Sequence, residues 1–221
     1  MNLIIEFIKT KKIRISESAI ITGLIIAAVT APNANPFSIL AVSLIAIFSK
    51  FLLKYNNRPV FNPAAFSLLI GTLLLQTQLS WWIDYNHIIT IIAGSILLIP
   101  YRGKWKMIYA FIIPTILLIT GRAILLNLPV VDAIYFNTGI TFFFSFFMLT
   151  DPKTSPMMAN QLITFGIIAA IGSFLCLLFY PPATLLGGLL TANLITPYLN
   201  NLSLNKIKAK AQSTNVSATP I

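Results

Sequence analysis

Long apolar runs cover nearly the whole of this chain and leave it little surface fit for water. They fall at 18–31, 36–53, 61–77, 88–100, 107–126, 133–150, 157–179 and 181–198. Each is continuous rather than alternating, which excludes a membrane β-barrel. The 221 residues are 57% hydrophobic and 9% charged, against roughly a quarter charged in a soluble domain. The pattern predicts an all-α, polytopic membrane protein of about eight transmembrane helices. Several runs are shorter than the ~20 residues that cross a bilayer, so some helices are expected to be broken or re-entrant.

The cations sort by loop. If the N-terminus is cytoplasmic, the inner loops hold Lys9, Lys11, Lys12 and Arg14, then Lys50, Lys54 and Arg58, then Arg102, Lys104 and Lys106, then Lys153, and finally Lys206, Lys208 and Lys210. The outer loops "PNANP", "TQLSWWIDYNH" and "NLPVVD" and the turn at Tyr180-Pro181 hold no Lys or Arg. Arg122 falls inside the fifth run, where it is expected to snorkel outward. The partition predicts a multi-pass protein of the cell membrane with both termini cytoplasmic. Anionic headgroups then account for the net charge of +10, and the lipid bilayer rather than nucleic acid is the expected partner. Trp81, Trp82 and Tyr85 are expected at the outer interface, and Tyr101 and Trp105 at the inner one.

Three regions follow. Residues 1–17 form a basic cytoplasmic segment, 18–198 a single transmembrane domain, and 199–221 a polar, basic tail expected to be disordered. "KTKKIR" before "AIITGLIIAAVTA" has the shape of a signal peptide, but Pro32 stands at the would-be cleavage site, so this run is read as a retained first helix. Cys176, the only cysteine, is expected to pack as a small apolar residue. His87 is the only histidine, which argues against a His-ligated metal or haem.

Proline patterns recur within the domain. Thr30, Pro32 and Pro36 match Thr150, Pro152 and Pro156 as Thr-x-Pro-x-x-x-Pro. Phe61, Pro63 and Ala64 match Tyr180, Pro182 and Ala183 as aromatic-x-Pro-Ala, at an offset that differs by one residue. This reads as a duplication, with repeat one over 18–126 and a shortened repeat two over 133–198. An odd number of crossings separates the copies, so they enter the membrane in opposite directions: an inverted-topology repeat with proline-broken helices. Proline removes a backbone donor and disfavours helix in the residue before it. The freed backbone groups need partners within the protein or from a ligand. Asp151 is expected to cap the segment that follows it. The ligand or ion pathway is placed at Thr30, Pro32, Asn62, Pro63, Thr150, Asp151, Pro152, Thr154, Ser155 and Asn193, between the repeats. The bland alternative is a pair of capped turns with no ligand. Gly94, Gly166, Gly172, Gly187 and Gly188 are expected to allow close helix packing. The phenylalanine run at 142–147 is expected in lipid or in the core.

"VFNPAAFSLLIG", "FFMLTDPKTSP" and "YPPATLLGGLLTANLITPYL" resemble the NqrB/RnfD family, over about Ile20 to Leu199. That family comprises membrane subunits of ion-translocating NADH:quinone reductases and Rnf electron-transport complexes. The resemblance implies a urea-transporter-like inverted repeat, flavin binding, other oxidoreductase subunits as partners, and redox chemistry coupled to ion movement. The family's Ser-Gly-Ala-Thr motif, whose Thr carries FMN covalently, is absent between Thr77 and Asp151, so any flavin is expected to be non-covalent. Family members are also longer, and this chain is read as a minimal relative. The competing expectation is a stand-alone channel or transporter for a small polar solute or ion. No catalytic nucleophile–base pair and no metal cluster is read in the sequence.

Overall fold

The computed structural model describes residues 17–82, 87–98 and 103–217. The basic segment before Glu17, Tyr85, Tyr101 and residues 218–221 lie outside them. Each apolar run forms its own helix. These are α1 (Glu17–Val29), α2 (Pro36–Leu52), α3 (Pro63–Leu74), α4 (His87–Leu98), α5 (Trp105–Leu125), α6 (Val130–Phe143), α7 (Leu162–Phe179) and α8 (Thr184–Ser217). A two-residue hairpin, β1 (Lys54–Tyr55) with β2 (Arg58–Pro59), joins α2 to α3. Asn56 and Asn57 turn it at φ 48° and 63°, in the left-handed region that asparagine tolerates. The Trp105–Leu125 and Ala159–Phe179 segments are long and apolar enough to cross a membrane, with mean hydropathy 2.0 and 2.5. The apolar helices Glu17–Val29, Pro36–Leu52, Pro63–Leu74 and Gly139–Leu149 are shorter.

Asparagine–proline pairs explain where two of the short helices begin. A residue before proline is held extended, and Asn35 and Asn62 adopt ψ 125° and 119°. The proline then starts the helix, where its missing N–H costs nothing. Asn35 Oδ1 accepts Phe37 N–H at 2.9 Å, and Asn62 Oδ1 accepts the amides of Ala64 and Ala65, both at 3.1 Å.

α6 does not stop at Phe143. It widens into a π-helix over Phe144–Leu149, and the phenylalanine run there is core rather than lipid-facing. Phe143, Phe144 and Phe146 are all buried. Phe144 packs on Phe111 of α5 at 5.1 Å between ring centroids, and Phe146 meets Trp105 edge-on at 5.7 Å. Trp81 packs on Phe143, and Trp82 Nε1 donates to the Ala27 carbonyl at 2.8 Å.

One expectation fails. The tail from 199 continues as helix to Ser217, because "LNKIKAKAQ" is rich in good helix formers and extends a helix that is already nucleated.

α7 and α8 approach backbone to backbone, as their glycines imply. A Cβ on Gly188 would lie 2.5 Å from the Ala169 carbonyl oxygen and 2.6 Å from Ser173 N. Gly166 makes the matching approach of α7 to α5, 2.5 Å from Met107 O. Backbone cannot retreat as a flexible side chain can. Gly188→Ala is expected to destabilise the protein by about 1–3 kcal/mol. Gly23→Ala, with nothing near its added Cβ, is expected to be neutral or stabilising by up to about 1 kcal/mol. Unfolding in mixed detergent micelles measures both.

Candidate functional site

The break after the π-helix is a compact turn built on Asp151. Thr150 Oγ1 donates to Phe146 O at 2.6 Å and satisfies a carbonyl at the helix end. Asp151 Oδ1 accepts the Lys153 amide at 3.0 Å, and Oδ2 accepts the Thr154 hydroxyl at 3.0 Å. The Asp151 carbonyl accepts Ser155 N–H at 3.0 Å. Asp151 therefore caps a turn, not the start of a helix. The next regular element begins only at Ala159, because Pro152 and Pro156 interrupt the ladder between.

A buried asparagine joins this turn to the first Asn-Pro-Ala. Asn193, in the middle of α8, is fully buried. Its Oδ1 accepts Asn62 N–H at 2.9 Å, and its Nδ2 donates to Thr154 O at 3.3 Å. Asn62 Nδ2 reaches Asp151 Oδ2 at 3.5 Å. Thus Asn62, Pro63, Thr150, Asp151, Pro152, Thr154, Ser155 and Asn193 come together, with Asn62, Thr154, Ser155 and Asn193 almost free of solvent.

Cations converge on the same turn. Arg58 Nη2 donates to Pro152 O at 2.5 Å, and Lys104 Nζ donates to Ser155 Oγ. Lys50 Nζ donates to Ser18 O at 2.8 Å. Each of these bonds ends on a neutral oxygen. Burial pushes the Lys104 ammonium down from 10.5 to about 8; Asp151 opposes the shift and Arg58 adds to it. Arg58 and Lys104 were visible in the sequence only as loop charges. Nothing in their spacing showed that both close on the turn.

Thr30 and Pro32 are not part of this cluster. They sit at the opposite end of the bundle, where Thr30 pairs with Leu79 and Ala31 N–H donates to Gln78 O at 3.0 Å. The reason is steric: after α3 the chain folds back along the end of α1 and supplies the partners that the first break needs. Thr30 Oγ1 and Thr77 Oγ1 are buried there without a hydrogen-bond partner. Beside them opens a cleft of about 660 Å³, walled by Gln76, Gln78 and Trp81 and by Tyr180 and Thr184 at the start of α8. Among the described residues the two breaks face different places.

No protein-family model and no curated protein matches this chain. Among the described residues there is no group of three or more His, Cys, Asp or Glu able to hold a metal ion. The Asp151 turn offers one carboxylate, several hydroxyls and carbonyls, and surrounding cations. Such a set can bind and orient a polar group or an ion.

Asn193→Leu removes both bonds of the bridge and leaves the Asn62 amide and the Thr154 carbonyl buried and unpaired. The expected loss is about 1–3 kcal/mol for each, read as unfolding in detergent. Lys104 makes stability depend on pH. Its pKa is lower folded than unfolded, so between about 8 and 10.5 the unfolded chain binds more protons. Stability is expected to rise with pH across that window and to lose this rise in Lys104→Gln.

Proposed function

We propose that the chain is a multi-pass membrane subunit of the NqrB/RnfD kind, part of a membrane electron-transport complex that couples redox chemistry to ion movement and holds any flavin non-covalently. The observation that carries the membrane part is the apolar exterior. Leu24, Leu40, Leu117 and Phe179, on four different helices, are 65%, 58%, 67% and 84% exposed, whereas the buried interior holds Asn62, Ser67, Ser145 and Asn193. In water such a sheath would aggregate, and in lipid it needs no cover. The cations support an orientation. Lys50, Arg58, Lys104 and Lys153 gather at the end of the bundle that holds the Asp151 turn. The described residues around the cleft at the other end, from Gln76 to Trp82 and Tyr180 to Ala183, include no Lys or Arg. The first end is then cytoplasmic.

The inverted repeat belongs to the same proposal. α3 has 12 residues, about 18 Å of helix, well short of a ~30 Å hydrocarbon core. Its capped N-terminus at Asn62 therefore meets the second copy's Thr-Asp-Pro within the protein. In transporters of this construction, sites form where broken helices meet. The 660 Å³ cleft favours a second reading, a stand-alone channel or transporter for a small polar solute or ion. Its wall is made by the far ends of α3 and α8, the helices that carry Asn62 and Asn193.

Two measurements on the purified protein test these readings. In a Cys176→Ala background, single cysteines at Asn33 and Lys153 are expected to label from opposite faces of a proteoliposome. Labelling from the same face removes the inverted repeat. A flavin absorption band in the near-ultraviolet and blue is expected for the redox subunit. A colourless protein that supports solute flux replaces it with the transporter.

A further inference from the structure

A second polar recess lies on the outer side of the Asp151 turn, between the hairpin, the 153–157 loop and the far part of α8. It encloses about 60 Å³ and is lined by Tyr55, Asn56, Arg58, Lys153, Asn200 and Asn201, among others. That is above the roughly 10–15 Å³ that one water needs on this measure, room for a few waters or one tetrahedral oxyanion.

Its chemistry is one-sided. Two side chains of the wall, Arg58 and Lys153, are cationic, and among the described residues no carboxylate lines it. The nearest acid, Asp151, is committed elsewhere: its oxygens take the Lys153 amide, the Thr154 hydroxyl and Asn62. The neutral members present donors. Asn200 Oδ1 is occupied by Met157 N–H at 3.0 Å, which leaves its NH2 to donate. Asn201 Nδ2 donates to Tyr55 Oη at 2.9 Å and fixes that wall. Arg58 uses Nη2 on the Pro152 carbonyl, while Nη1 is shut off from solvent with no partner. A guanidinium, an ammonium and a carboxamide NH2 around one recess match the oxygens of a phosphate group, which accept several such bonds at once.

The geometry points to a binding site for a single phosphate group at this recess, held by Arg58 and Lys153 with Asn200 as a neutral donor. A lipid headgroup and a soluble phosphate offer the same chemistry. The site does not depend on a redox or a transport role, since it uses neither Asn193 nor the cleft at the other end.

The test uses the full-length protein in a neutral detergent. Its unfolding midpoint is measured with inorganic phosphate replacing chloride at constant ionic strength, and separately with phosphatidylglycerol or phosphatidylcholine added to the micelles. A rise of a few degrees is expected with phosphate, with phosphatidylglycerol, or with both, and none with phosphatidylcholine. Phosphate alone sufficing identifies a soluble ligand, and a response only to phosphatidylglycerol identifies a headgroup. The rise is expected to vanish in Lys153→Gln, whose side chain is exposed, and to persist in Lys106→Gln, which lies outside the recess. No rise with either probe, a full rise in Lys153→Gln, or an equal loss in Lys106→Gln overturns the site.

Discussion

The side-chain amide of Asn193 is the joint on which the two halves of the bundle depend. Prolines at 63, 152 and 156 free backbone groups around this joint, and an amide or carbonyl left unpaired in its buried part is costly. Asn193 supplies an acceptor to one half and a donor to the other from a single planar group. A hydrophobic residue would fill the space but pair neither group. A charged one would add a desolvation cost. The close approach of α7 and α8 at Gly172 and Gly188 sets the depth at which α8 can present that amide.

Around this neutral joint the charges are arranged unevenly. Asp151 is surrounded by Lys50, Arg58, Lys104 and Lys153, and the hydrogen bonds of the first three cations end on carbonyls or hydroxyls. The hydrogen bonds of the carboxylate likewise come from an amide, a hydroxyl and a carboxamide rather than from these cations' side chains. The result is a rigid turn with excess positive potential at one end of an otherwise apolar bundle. Low surrounding polarity strengthens that potential. Burial of Lys104 shows the cost, because its proton is held less firmly than in water. Such an end is suited to meeting anionic groups, while the uncharged cleft at the other end is suited to polar neutral ones.

The helices were readable because their signal is local. Each continuous apolar run became one helix, and Asn35-Pro36 and Asn62-Pro63 marked two of the starts through a steric rule that acts between neighbours. The glycine contacts were legible for the same reason, since a missing Cβ matters wherever two helices touch. The wide turn of Phe144–Leu149 carried no such mark. A π-helix differs from an α-helix by one residue in the ladder, and aromatic packing on Phe111 and Trp105 decides between them. The end of α8 was misread because a polar composition lowers burial without lowering helix propensity.

For the site, the proline spacing points to Asn62 and the Thr150–Ser155 turn as places where backbone groups need partners, and Asn193 bonds to both. Spacing cannot say which partners they find. Thr30 and Pro32 carry the same motif as Thr150 and Pro152, yet the chain after α3 reaches the first break and closes it with Gln78 and Leu79. Arg58 and Lys104 are far from Asp151 in sequence and meet its turn only because the hairpin and the start of α5 lie over it. The sequence by itself determined the apolar helices, their capped breaks and the sorting of charge among loops, because these follow from solvent and backbone sterics. Only the tertiary structure decided which break meets which helix, because hydrogen bonds between distant segments depend on how the helices pack.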